Sequence, residues 1–202
     1  MTLQRPHVWR DGAGGPPLLL LHGTGGDEHD LLPLADRLSP SSPVLSPRGE
    51  VLERGMPRFF RRLAEGVFDE DDLRRRTDEL ADFVLAAGAE HGVAPGSFIA
   101  VGFSNGANIA SSLLMLRPEV LAGAVLLAAM VPYASPPTTA DLSRHLVVVA
   151  NGRHDPMATP DQTRTLVRQL RELGAEVHEL PFDGGHGIDP AQLPRIAELI
   201  TS

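Results

Sequence analysis

Gly102-Phe103-Ser104-Asn105-Gly106 stands directly after an apolar run and directly before a helical pattern. A serine in that setting projects from a sharp strand-to-helix turn, and the small residues two before and two after it let the backbone fold tightly. Its hydroxyl is a poor nucleophile at neutral pH unless a base stands beside it. His186, within Gly184-Gly185-His186-Gly187, is the expected base, because imidazole titrates in the right range. Asp155, at the turn Asn151-Gly152-Arg153-His154-Asp155-Pro156, is the expected acid that orients the imidazole and stabilises its cation. The chemistry would be acyl transfer: Ser104 attacks a carbonyl, His186 passes its proton to the leaving group, and water repeats the cycle on the acyl-enzyme.

Each of these residues also has a plainer reading. Serine is a preferred helix N-cap, so Ser104 would merely start a helix. The chain holds eight histidines, and one flanked by glycines arises by chance. Asp183 is the rival acid, but it shares a loop with His186, whereas an acid from the neighbouring strand end reaches the far imidazole nitrogen more naturally. His154 is then a neighbour and not the base. The strand-turn-helix context and the order Ser104, Asp155, His186 favour catalysis.

A second glycine-rich turn, His22-Gly23-Thr24-Gly25-Gly26, follows the first apolar strand and suits half of an oxyanion hole. The expected donors are the backbone N–H groups of Thr24 and Asn105, each worth about 3 to 4 kcal/mol in a transition state. His22 reads as a hydrogen-bonder that stabilises the loop. The mechanism needs no metal and no organic cofactor.

Short apolar runs alternating with longer helical patterns are needed to bring these loops together, and they predict an α/β fold with a mostly parallel, doubly wound sheet and helices on both faces. Expected strands are 18–22, 44–46, 98–103, 122–128, 146–151 and, near a sheet edge, 177–180. Residues 18–22 (LLLLH) are continuously apolar, as in a strand buried on both faces. Expected helices are 31–38, 72–91, 105–117, 160–173 and 190–200. Acidic residues 69–72 and Asp161 sit near helix N-termini, and Gly174 fits a C-terminus. Ligands in open α/β sheets bind beyond the carboxyl ends of the strands, and nearly every suggestive residue falls in those loops.

Length and composition are consistent with this. A chain of 202 residues suits one compact domain, 1–202, with an ordinary globular balance of 42% hydrophobic and 22% charged residues. The formal charge of −8 repels phosphate backbones, so nucleic acid is not an expected partner. With no cysteine there is no disulfide, thiolate metal site or cysteine nucleophile. Residues 1–15 carry no apolar leader core, and no run approaches the ~20 residues of a membrane helix, so a cytoplasmic protein is expected.

The stretches LHGTGGDEHDLLPLA, LSPRGEVLERGMPRFFRRLAEG, GFSNGANIASSLL and GGHG span nearly the whole chain, and together they resemble the small bacterial carboxylesterases of the phospholipase/carboxylesterase family of α/β-hydrolases, in the branch of MhqD-type hydrolases. The resemblance implies a single-domain α/β-hydrolase fold, hydrolysis of small acyl or aryl esters and often a homodimer. It carries the triad onto Ser104, Asp155 and His186, and the oxyanion donors onto Thr24 and Asn105. Only residues 1–17 precede the first strand, so the N-terminal strands of larger hydrolases must be reduced or missing.

Residues 48–69 should border the site as a loop. His22, Gly23, Arg58, Phe59 and Phe60 are candidates for a substrate pocket, with an arginine meeting an anionic group. The competing reading, slightly favoured, has Phe59 and Phe60 anchoring the loop and the arginines pairing with Glu50, Glu53 or Asp69. Residues 131–145 are too few for a large lid, which favours small, soluble esters. An acyl thioesterase or lysophospholipase would use the same triad, and a non-catalytic ligand-binding relative is the reading from a different class.

Overall fold

The computed structural model describes residues 5–201; residues 1–4, where the reading for a leader begins, and residue 202 lie outside the described residues. In chain order the elements are β1 (His7–Arg10), β2 (Leu18–Leu21), α1 (Leu32–Leu38), β3 (Val44–Pro47), β4 (Val51–Glu53), β5 (Met56–Arg58), β6 (Arg62–Ala64), β7 (Val67–Phe68), α2 (Glu70–Glu90), β8 (Phe98–Phe103), α3 (Asn105–Leu116), β9 (Leu121–Leu127), β10 (Leu146–Ala150), α4 (Pro160–Glu172), β11 (Glu176–Glu179) and α5 (Leu193–Thr201). Short 3-10 turns precede β9 and α5.

Seven strands form the central sheet in the order β1-β3-β2-β8-β9-β10-β11. All neighbours run parallel except β1, which pairs antiparallel with β3. The expected strands are present within a residue or so at each end, and β11 is the edge, as anticipated. Strand β1 is an addition: its four residues carry no long apolar run, and they become a strand only because β3 offers a free edge.

The LLLL of β2 is wholly buried because alternate side chains enter two different cores. Leu19 and Leu21 join α2, α3 and α4 on one face of the sheet. Leu18 and Leu20 join α1 and α5 on the other. Strands β8, β9 and β10 divide their residues the same way, which is why these runs lack a polar side. Helix α2 starts on Asp69, whose carboxylate accepts from the N–H of Asp72 at 3.0 Å, with Glu70, Asp71 and Asp72 in the first turn where the dipole favours them. Gly174 follows α4 with a φ of 98°, as expected of a residue that ends a helix.

Residues 48–69 are not an open loop. They fold into two small antiparallel hairpins, β4 with β5 and β6 with β7. Each strand is two or three residues long, too short for an alternating pattern to register. The hairpins are held by distant loops: Gly25 N–H donates to Pro57 O at 2.9 Å, and Gly49 N–H donates to His22 Nε2 at 2.9 Å. No lid domain is present among the described residues, and none of their helices is long and apolar enough to cross a membrane.

Candidate active site

Ser104 sits between β8 and α3 at φ 52° and ψ −114°, a conformation that costs a non-glycine residue about 1 to 3 kcal/mol. The two glycines of its motif are sterically required. A Cβ on Gly106 would overlap the carbonyl of Leu21 in β2, and one on Gly102 would lie 2.6 Å from the carbonyl carbon of Gly106. Helix α3 is thereby drawn against the sheet, with the serine raised on the turn between. Ser104 occupies the N-cap position but makes no side-chain capping bond. Its hydroxyl instead lies 2.9 Å from His186 Nε2, an observation against the plain capping role.

His186 arrives from the loop after β11, where its Nδ1 donates to Asp155 Oδ2 at 2.7 Å. The carboxylate of Asp155 is completely shielded from solvent, and its other oxygen accepts from the N–H groups of Met157 at 2.8 Å and Ala158 at 3.0 Å. These bonds satisfy a buried charge and fix the direction in which it faces. A hydrogen bond from Nδ1 leaves Nε2 as the acceptor toward the serine hydroxyl, the tautomer needed for a base. Asp183 pairs instead with His154 at 2.7 Å, both well exposed.

Beside the serine, the N–H groups of Thr24 and Asn105 find no protein acceptor among the described residues. Their side chains, in contrast, are tied to the last residue of the β4-β5 hairpin and to the residue that follows it. Arg58 Nη1 donates to Thr24 Oγ1 at 2.6 Å, and Phe59 N–H donates to Asn105 Oδ1 at 2.7 Å. Ser104, His186, Thr24 and Asn105 thus lie together around one cleft beyond the carboxyl ends of β2 and β8.

A cleft of about 310 Å³ opens there, lined by Ser104, His186, Thr24, Arg58, Arg62 and Met130 among others. Of the five pocket candidates only Arg58 lines it. Phe59 and Phe60 are 2% and 0% exposed and pack in the core beneath the hairpins, because two adjacent aromatic rings gain more from full burial than from a wet cleft. His22 is also buried. Its Nδ1 donates to Gly23 O at 2.7 Å while Nε2 accepts from Gly49 N–H, and burial pushes its pKa below the usual histidine value. It is a neutral pin between two loops. Gly23 lies under the ring of Phe103, which a Cβ would strike at 2.8 Å.

The arginine pairing anticipated for this region is found, with Arg58 and Arg62 both on Glu53 and Arg61 on Asp69. Sequence reasoning missed Arg62, Asn108 and Met157 as lining residues. Asn108 had a legible signal, since a residue four beyond Ser104 on a helix shares its face. Asp27, Glu28 and His29 cluster nearby, but Glu28 is already bound by Arg48 and His29 is exposed, so nothing there marks a metal centre.

No family model matches the chain. MhqD of Bacillus subtilis (strain 168), a protein named as a hydrolase, is 48% identical over 180 residues, which span 89% of this chain and 90% of MhqD. The chain belongs to the phospholipase/carboxylesterase family of α/β-hydrolases. This family member is similar to the Bacillus cereus carboxylesterase, with 44% identity, a TM-score of 0.93, and coverage of 96% of this chain and 92% of that one. It is likewise similar to a carboxylesterase from Mesorhizobium loti, with 30% identity, a TM-score of 0.87, and coverage of 93% and 88%. The α/β-hydrolase fold and a hydrolase activity of the esterase kind follow from that kinship.

Proposed function

We propose that the chain is a serine carboxylesterase acting on small acyl or aryl esters through an acyl-enzyme. The observation that carries this reading is the continuous relay Ser104 Oγ to His186 Nε2 at 2.9 Å and His186 Nδ1 to Asp155 Oδ2 at 2.7 Å. In the first half-reaction the Ser104 oxygen bonds to the ester carbonyl carbon while His186 takes the hydroxyl proton. The resulting oxyanion accepts from the N–H groups of Thr24 and Asn105. His186 then protonates the leaving alcohol as the ester C–O bond breaks, with Asp155 stabilising the imidazolium. Water then adds to the acyl carbon while His186 takes its proton, and His186 returns that proton to the Ser104 oxygen as the acyl–serine bond breaks and the acid leaves. Each step is supplied by the chain's own groups, with no metal or organic cofactor in any role.

The strained φ of Ser104 supports the reading, because a structural cap would gain nothing from such strain. The cleft volume of about 310 Å³ favours small acyl groups, near the lower end of ligand sites. A fluorophosphonate probe should label Ser104 in the folded protein, and Ser104→Ala should lose both labelling and hydrolysis of p-nitrophenyl acetate. Unlabelled Ser104 in folded protein would overturn the nucleophile assignment and favour a binding role. Matched acyl thioesters in the same assay separate esterase from thioesterase, the expected preference being for the oxygen ester.

A further inference from the structure

Two guanidinium groups converge on one carboxylate at the wall of the cleft. Arg62 Nε donates to both oxygens of Glu53, at 3.0 and 3.1 Å, while Arg58 Nε lies 3.3 Å from the same carboxylate and donates to Phe60 O at 3.1 Å. Arg58 Nη1 is taken by Thr24, yet no acceptor among the described residues takes Arg58 Nη2 or either Nη of Arg62. Both side chains line the cleft that holds Ser104, whereas Glu53 does not. Two residues with untaken donors thus line the cleft beside an ion pair that has one positive charge in excess.

The only acid among the lining residues is Glu65, which is exposed and makes no ion pair with either arginine. Water screens an exposed carboxylate far more than side chains that are 4% and 27% exposed, so the arginines dominate the local field. The chain as a whole carries −8, and a positive cleft is not a by-product of its overall charge. A planar guanidinium with free Nη donors suits a carboxylate through paired, charge-assisted hydrogen bonds.

We infer that the cleft recognises esters whose acyl part ends in a carboxylate, that is, half-esters of short dicarboxylic acids, with Arg62 and the free Nη2 of Arg58 as the anion subsite. The inference rests on the serine esterase reading above. Arg58 is bonded to Thr24 and shares Glu53 with Arg62, and the leaving oxygen must face His186 to be protonated, so the charged end is assigned to the acyl part. With methyl hydrogen glutarate, the Ser104 oxygen acylates as the bond to methoxide breaks. The serine proton leaves with methanol through His186, and water then releases the second carboxylate and a proton to solvent.

Two measurements test this. In steady-state hydrolysis, kcat/KM for methyl hydrogen glutarate should exceed that for dimethyl glutarate by about tenfold or more, the effect of one charge-assisted hydrogen bond. That ratio should shrink with added salt and collapse in Arg62→Met and Arg62→Glu, while Arg168→Gln, on the outer side of α4, leaves it intact. In calorimetry on Ser104→Ala protein, the half-ester should bind at least about tenfold tighter than the diester, and the difference should vanish in the double variant with Arg62→Met. Equal handling of both esters by wild type, or a ratio indifferent to Arg62 and to salt, overturns the subsite and leaves the esterase reading standing. Selective binding of the half-ester without turnover by wild type supports the subsite and overturns the esterase reading.

Discussion

Arg58 and Thr24 are joined by a 2.6 Å hydrogen bond from guanidinium Nη1 to hydroxyl Oγ1. The bond runs from the β4-β5 hairpin to the glycine turn after β2, and the very next residue, Phe59, grips Asn105 through its N–H. Both proposed oxyanion donors are therefore aimed by one short piece of chain. Arg58→Lys and Thr24→Val should each lower kcat by about tenfold with little change in KM, a fraction of the loss when a donor is removed. The double variant should be no worse than either single one. Fully additive losses in steady-state kinetics would count against the shared contact.

Asp155 and Asp183 make opposed claims to His186, and the distances favour Asp155. Asp155→Asn should lower kcat by about 10⁴-fold, because the amide selects the wrong imidazole tautomer. Asp183→Asn, which disturbs only an exposed pair with His154, should stay within about twofold of wild type. Circular dichroism on both variants checks that folding is retained, and the reverse ranking would reassign the acid.

Gly106 marks where α3 presses on β2. Gly106→Ala places a methyl group into the carbonyl of Leu21, and neither backbone can yield without moving the serine turn. A loss of about 3 kcal/mol or more in urea unfolding is expected, together with loss of activity in the folded fraction. An unchanged midpoint would mean the helix can slide along the sheet.

His22 gives the fold a pH dependence of predictable sign. Burial, opposed by its bond to Gly23 O, holds the folded pKa below the ordinary value of 6.5. Below about pH 6.5 the unfolded chain takes up the proton first, so stability present above that pH is lost as pH falls toward the folded value. Wild type should lose thermal stability between pH 7 and pH 5 more steeply than His22→Gln, which has nothing to titrate at that position. The carboxylates with lowered values, Asp27, Glu28 and Asp141, act at lower pH and leave this window clear. Parallel melting curves for the two proteins would remove His22 from the account.

The strands β2, β8, β9 and β10 were legible from sequence because burial on both faces forces unbroken apolar runs, and a run of that kind is a local signal. The strained turn at Ser104 was legible for a related reason: a left-handed serine wedged against a neighbouring strand demands glycine at 102 and 106, so the steric need is written as residue types. The order Ser104, Asp155, His186 followed from topology, since each lies just past a strand of one parallel sheet. What the tertiary structure alone decided lies in residues 48–69 and at the N-terminal edge. Strand β1 exists because β3 presents an unpaired edge far along the chain. The hairpins exist because His22, Thr24, Gly25 and Asn105 bind them, and that binding turns Phe59 and Phe60 into the core while leaving Arg62 on the cleft wall. Such choices depend on partners distant in sequence, so short segments carry no periodicity from which to read them, and only the assembled sheet selects which side chains line the cleft.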